Sequence, residues 1–143
     1  MFTISKEAIP TQDLSQAMQN PQAGALVIFD GRVRNLNDGK VVESLEYEAW
    51  EALCIKEATK IIHEAQERFE ILEIRCVHRV GHLMIGDCAV WLGVLSAHRE
   101  DGFAACRYVI DEVKHRLPIW KREHYSEERS EWVLCEACAS KGC

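Results

Sequence analysis

Proline and glycine are scarce in this 143-residue sequence, at three and eight positions. That scarcity excludes collagen-like chains and Pro/Gly-rich disordered ones. With no internal repeat, low-complexity run or Pro/Ser-rich linker, the sequence is expected to form one domain over residues 1–143. Long apolar runs are missing too. The longest, Cys88 to Ala97, falls well short of the roughly 20 residues that a membrane-spanning helix needs. The first ten residues hold Lys6 and Glu7 and lack an apolar signal core, so a soluble, cytoplasmic protein is expected, with no membrane partner. Positive charge is in deficit: 17 Lys and Arg stand against 23 Asp and Glu, a net charge of −6. A chain this acidic is not expected to bind nucleic acid, whose phosphates select basic surfaces. Nor does it carry a Gly-rich phosphate loop of the Walker or dinucleotide type, an HExxH zinc motif or a G-x-S-x-G elbow.

What the sequence does have is a core. Hydrophobic residues make up 48% of it, and a chain of this length buries roughly 68–70% of its unfolded surface without a metal or disulfide staple. Seven cysteines accompany no export signal. Cys54, Cys76, Cys88 and Cys106 sit inside apolar patterns and read as small buried hydrophobes. Cys135, Cys138 and Cys143 stand in a polar tail, residues 134–143. Its C-x2-C is half of a zinc pattern that no second pair or nearby His completes. The tail therefore reads as exposed and redox-sensitive, and neither a metal nor a cofactor is expected.

Periodicity orders the elements. Residues 11–19 suit a short helix ended by Pro21 and Gly24, and Ala25–Phe29 is a β-type run continuing into GRVRN. Residues 35–40, NLNDGK, read as a mobile polar loop. Leu45 and Tyr47 alternate with Glu46 and Glu48, the period of a half-buried strand. Over residues 50–69 the period turns helical, with Cys54, Ala58, Ile61, Ile62, Ala65 and Phe69 on one face. Leu72, Ile74 and Cys76 alternate as a strand before a turn marked by Gly81 and Gly86. The apolar run from Cys88 predicts a central strand. A second long helix places Phe103, Cys106, Ile110, Val113 and Leu117 on one face and ends before Pro118. Ile119–Tyr125 and Glu131–Cys135 predict a closing hairpin. The sum is an α+β fold, two long helices packed on a mainly antiparallel sheet with a small β subdomain.

Chemistry gathers at local basic spots. Lys114, His115, Arg116, Lys121 and Arg122 fall within nine residues. In a helix's last turn such cations also simply complement its dipole. Should Lys114 and Lys121 meet among Arg116 and Arg122, like-charge crowding lowers a lysine pKa and prepares it for acid–base work. His98 and Arg99 stand where a strand gives way to a helix N-terminus, a place suited to phosphate, although Glu100 and Asp101 are equally suited to cap that helix. Arg32 and Arg34 lie two apart on a strand, hence on one face, as an anion clamp or as solvated edge charges. His78 reads as a hydrogen-bonded structural histidine. A small anionic ligand suits such spots on an acidic chain better than a polymer does.

The strings FDGRVRN, HRVGHLMIGDCAVWLGVLSAHRE, DEVKHRLPIWKRE and EWV, in this order from about Gly24 to Val133, resemble the large, catalytic subunit of molybdopterin synthase. That resemblance implies an α/β hammerhead-type fold and a sulfur-transfer enzyme of molybdenum-cofactor biosynthesis. It implies conversion of cyclic pyranopterin monophosphate, a pterin phosphate substrate, into the dithiolene molybdopterin. Sulfur would come from the thiocarboxylated C-terminal Gly-Gly tail of a small ubiquitin-like partner, within a heterotetramer built on a homodimer of large subunits. Matched residue by residue, Lys114 and Lys121 take the catalytic positions: Lys114 the central one, Lys121 assisting as the cyclic phosphate opens. Arg32, Val33, Arg34, His98, Arg99, Arg122 and Glu123 take substrate-binding positions, with Glu123 orienting a lysine or the pterin ring. The resemblance does not extend to the tail from Cys135 onward. Two rival readings are a non-catalytic module docking an acidic partner through the basic cluster, and a thiol or metal protein built on the tail cysteines.

Overall fold

A computed structural model describes residues 1–126 and 130–135. The described elements, in chain order, are β1 (Phe2–Ser5), α1 (Thr11–Ala17), β2 (Ala25–Arg32), β3 (Leu36–Asn37), β4 (Lys40–Ala49), α2 (Glu51–Arg68), β5 (Glu73–Arg79), β6 (Gly81–Met84), β7 (Cys88–Ser96), α3 (Arg99–Arg116), β8 (Ile119–Tyr125) and β9 (Trp132–Leu134). The fold is α+β, as expected. Among the described residues no helix is long and apolar enough to cross a membrane.

The strands form two sheets rather than one. The first runs β1-β5-β7-β2, antiparallel apart from the parallel β1–β5 pair. The apolar run from Cys88 does become a central strand, and both of its faces are covered. Val90, Leu92 and Val94 pack with the buried faces of α2 and α3, while Trp91 and Leu95 pack with Ile9 and Met18 on the opposite side. Gly93 makes the second layer fit: a Cβ there would stand 2.5 Å from the Trp91 ring and 2.6 Å from Met18 Sδ. α2 buries Cys54, Ala58, Ile61, Ile62 and Ala65, the face that its period predicts. In α3 the buried face is Gly102, Ala105, Cys106, Val109, Ile110 and Val113. Phe103, expected there, is 61% exposed: a helical step of 100° carries it off a stripe centred on Val109 and Val113.

The second sheet runs β3-β4-β8-β9, with β6 also paired to β4. Gly81, at φ 93°, lets the chain leave β5 for β6 in the other sheet, and Gly86, at φ 87°, turns it back towards β7. Residues 35–40 are a hairpin and not the expected loop. Asn37 pairs with Lys40, and the two residues between them, Asp38 (φ 50°) and Gly39 (φ 77°), both take the left-handed backbone of a type I′ turn. α3 ends as expected, with Leu117 extended ahead of Pro118. β8 and β9 then pair antiparallel as the closing hairpin.

Cysteine placement splits in the same way. Cys54, Cys76 and Cys106 are buried and Cys88 is half-buried. Burial pushes the thiols up, to about 11 in Cys54 and Cys106 and about 12 in Cys76 and Cys88, so they stay protonated and inert. Cys135 is also buried, at 6% exposure, which corrects the expectation of an exposed tail at that position. β9 carries it back against the core. Cys138 and Cys143 lie outside the described residues.

Candidate functional site

The junction of the two sheets holds a cavity of about 560 Å³, within the range of small-molecule sites. Its walls come from the end of β2 and the residues after it (Arg32, Val33, Arg34), from β3 and β4, from the last turns of α3 (Lys114) and from β8 (Lys121, Glu123). Six of the nine residues singled out from the sequence thus share one cavity. His98, Arg99 and Arg122 are not in its walls.

Local structure explains each placement. Val33 is buried and locked to the turn before β7: its N–H donates to the Asp87 carbonyl (3.0 Å), and its own carbonyl accepts from Gly86 (2.9 Å). That anchor leaves exposed Arg32 and Arg34 on either side at the cavity mouth. Arg32 Nη2 pairs with Asp30 at 3.1 Å. Lys114 lies in the last turn of α3, half-buried beside the Ile110–Val113 stripe, where its stem lies on apolar surface and its ammonium reaches a polar cavity.

On β8 the period of two assigns opposite faces to neighbouring residues. Lys121 and Glu123 pair with Tyr47 and Leu45 of β4 and point inward; both are 8% exposed. Arg122 and His124 point outward. The side chain of Arg122 donates to both Glu46 oxygens at 3.1 Å and lies 4.7 Å over the Trp132 ring. Lys114 and Lys121 thus line one cavity, but Arg116 and Arg122 do not stand with them there. Arg122 is paired on the far face of the sheet, Arg116 pairs with Glu64 and Glu57 of α2, and Lys121 holds Glu123 at 2.9 Å.

That last pair is the centre of a buried network, and two of its members were not legible in the sequence. Asn37 Nδ2 donates to both Glu123 oxygens at 3.0 Å, and Tyr125 Oη donates to Oε2 at 2.8 Å. Burial pulls the Glu123 carboxyl up, but hydrogen bonds from Lys121, Tyr125 and Asn37, with the Lys121 charge, outweigh it and hold the carboxyl below its ordinary value. Asn37 reaches this position because the Asp38–Gly39 turn folds β3 back over β4; the D-G pair was the available signal. Asn37→Ala should destabilise the fold by about 1.5–3 kcal/mol, the usual worth of a hydrogen bond to a charged group. Urea unfolding reads this directly, and an unchanged midpoint would mean that Lys121 and Tyr125 suffice.

His78 stands behind the cavity, 2% exposed, with Nδ1 2.8 Å from the Arg79 carbonyl and its ring edge-on to Tyr47 at 5.0 Å. Burial, then the Lys114 charge, lowers its pKa to about 4, so it is neutral at physiological pH and Nδ1 carries the proton donated to Arg79. It is a structural histidine, as expected. His98 and Arg99 are exposed at the opposite end of α3. Fifteen residues separate Arg99 from Lys114, about 22 Å along the helix axis at 1.5 Å per residue.

Comparison with known proteins extends this geometry. The sequence model of a family described as "MoaE protein" matches residues 4–116. The "Molybdopterin synthase catalytic subunit" of Nostoc sp. strain PCC 7120 is 35% identical over 99% of this chain and 86% of its own. A crystal structure of molybdopterin synthase from Staphylococcus aureus superposes with a TM-score of 0.84 at 37% identity, covering 91% of this chain and 94% of that one. A complex of subunits 1 and 2 of the molybdopterin-converting factor from Helicobacter pylori 26695 contains a chain that superposes at 0.73 with 25% identity, over 90% of this chain and 91% of its own. With the matched region running from within β1 to the end of α3, through all three helices and Lys114, the chain belongs to the MoaE family, the catalytic subunits of the sulfur-transferring enzyme molybdopterin synthase.

Proposed function

We propose that this chain, with a small ubiquitin-like partner, converts cyclic pyranopterin monophosphate into molybdopterin. Each of the two sulfurs would be given up by a thiocarboxylated Gly-Gly tail of the partner, which leaves as the carboxylate. The observation that carries the reading is the cavity between the sheets, where Lys114 and Lys121 arrive from different elements and Arg32 and Arg34 stand at the mouth. Arginine forks at the mouth suit the substrate's phosphate. Lys114 is proposed as the group that moves protons and balances charge while sulfur attacks the pterin side chain. Lys121, held by Glu123 at 2.9 Å, would serve the opening of the cyclic phosphate. Glycine, with no side chain, suits the close backbone approach that a tail entering such a cavity requires.

In one chain His98 and Arg99 are too far from Lys114 to share its substrate. Their proposed binding role therefore requires a second copy, whose α3 N-terminus would face this cavity across the central homodimer of a heterotetramer. A reconstitution assay tests both parts. The chain is mixed with a thiocarboxylated small subunit and cyclic pyranopterin monophosphate, and molybdopterin is followed. Product is expected from the wild type. Lys114→Ala and Arg99→Ala chains, each inactive alone, are expected to regain part of the activity when mixed, because one site of the mixed dimer is intact. A wild type that binds the small subunit yet yields no product would leave the basic cluster as a docking surface. Active wild type without complementation would confine the site to one chain.

A further inference from the structure

The outward face of the second sheet carries a group of side chains that the proposed reaction does not use. β6, β4 and β8 lie side by side there, with Glu46 of β4 in the middle. His82 of β6 is directly opposite Glu46 in register. On the other side Arg122 is opposite Glu46, and His124 follows two residues on, on the same face. The nitrogen donors of His82 and His124 and a carboxylate oxygen of Glu46 all lie within 4.8 Å of one another. His124 Nε2 is 2.9 Å from Glu46 Oε1, and the two imidazole centroids are 6.0 Å apart.

From this geometry we propose that His82, Glu46 and His124 bind a late first-row divalent cation of the zinc type. Two imidazoles and one carboxylate are the donor set such ions take, with metal–ligand bonds of about 2.0–2.2 Å that place tetrahedral donors about 3.3 Å apart. The His124–Glu46 pair, at 2.9 Å, is near that spacing, and the exposed His82 ring, whose donor lies within 4.8 Å of the other two, would have to turn towards them to complete the set. Each donor comes from a rigid strand, which fixes the site better than a loop does. The carboxylate is already oriented. Arg122 holds both its oxygens at 3.1 Å and is itself stacked on Trp132, an outer partner of the sort that aligns a ligating carboxylate. Water would take the fourth position. Bound there, the ion would clasp β6, β4 and β8 from behind, and β8 is the strand that presents Lys121 and Glu123 to the cavity. The alternative is an ion pair between His124 and Glu46 beside an unrelated His82.

The test uses the full chain, stripped with chelator and kept reduced, titrated first with Co²⁺ and then with Zn²⁺. The tail cysteines also attract soft metals, and cobalt separates the two sites: a thiolate ligand gives a strong near-ultraviolet charge-transfer band, whereas imidazole and carboxylate give only visible d–d bands. One cobalt per chain without the thiolate band is expected, with displacement by Zn²⁺ and a zinc-dependent rise in the thermal midpoint. His82→Ala removes an exposed side chain and leaves the core intact, so its folding is secure; it and His124→Ala should each weaken binding at least about tenfold and abolish the thermal shift. Unchanged affinity in His82→Ala, a thiolate band that disappears with Cys138→Ser, or no binding at all would each overturn the proposal.

Discussion

Lys114→Ala is expected to abolish molybdopterin formation in the reconstituted enzyme while the small partner still binds. The side chain lies in the last turn of α3, packed along Ile110 and Val113, with its ammonium at the cavity between the sheets. Truncation leaves the buried face of the helix untouched, so the fold should survive. A positioned acid–base group contributes about 10²–10⁴ in rate, so a kcat loss of at least about 10² is the expected scale. Lys114→Arg sharpens the test. Arginine keeps the positive charge but does not give up its proton near neutral pH, so it should fail to restore turnover if proton transfer is the role. Full activity in Lys114→Arg would reduce the role to charge alone. Loss of partner binding, with normal chemistry in whatever complex remains, would contradict the assignment altogether.

The second large effect concerns acid. The folded chain holds His78 at a pKa of about 4, lowered by burial and then by the Lys114 charge, whereas an unfolded histidine titrates near 6.5. Between those values the unfolded chain takes up a proton at this site and the folded chain does not, so stability is intact above about pH 6.5 and falls as the pH drops. The slope approaches about 1.4 kcal/mol per pH unit, and the total by pH 4 is roughly 3 kcal/mol. Glu123 works in the same direction lower down: its depressed pKa makes its contribution present above the ordinary carboxylate range and lost as the folded carboxyl protonates. Comparing urea unfolding of wild type and His78→Gln at pH 7, 6 and 5 isolates the histidine, because carboxylates titrate little there. The wild type should lose about 2 kcal/mol more than the variant over that range. Equal slopes would mean that His78 is protonated in the folded chain after all.

Much of the fold was legible because periodicity is a local property. The α2 stripe, the central strand from Cys88, the stop before Pro118 and the β8–β9 hairpin follow from side-chain spacing and from proline sterics. β1 was not legible. It is four residues long and exists because Phe2 to Ser5 pair with Cys76 to Arg79, more than seventy residues away. The hairpin at residues 35–40 was visible in its D-G pair but was outweighed by polar composition. Arg122 lies outside the cavity walls for an equally local reason. A period of two along Lys121-Arg122-Glu123 places the arginine on the face opposite its two neighbours. Likewise the length of α3 alone separates His98 and Arg99 from Lys114.

By itself, then, the sequence determined which residues face inward within each element, and which short strings belong to the MoaE family. The tertiary structure alone decided which of those faces meet. Lys114 and Lys121 share a cavity because α3 packs on β2 and β7 of the first sheet while β8 pairs with β4 in the second. Asn37 meets Glu123 across 86 positions because a two-residue turn folds β3 onto β4. His82, Glu46 and His124 converge because β4 takes β6 on one side and β8 on the other. Spacing along a chain governs a helix or a strand, where neighbours interact within a turn or a pleat. Convergence of distant residues depends on strand order and register, and these are fixed only when apolar faces from the whole chain are buried together.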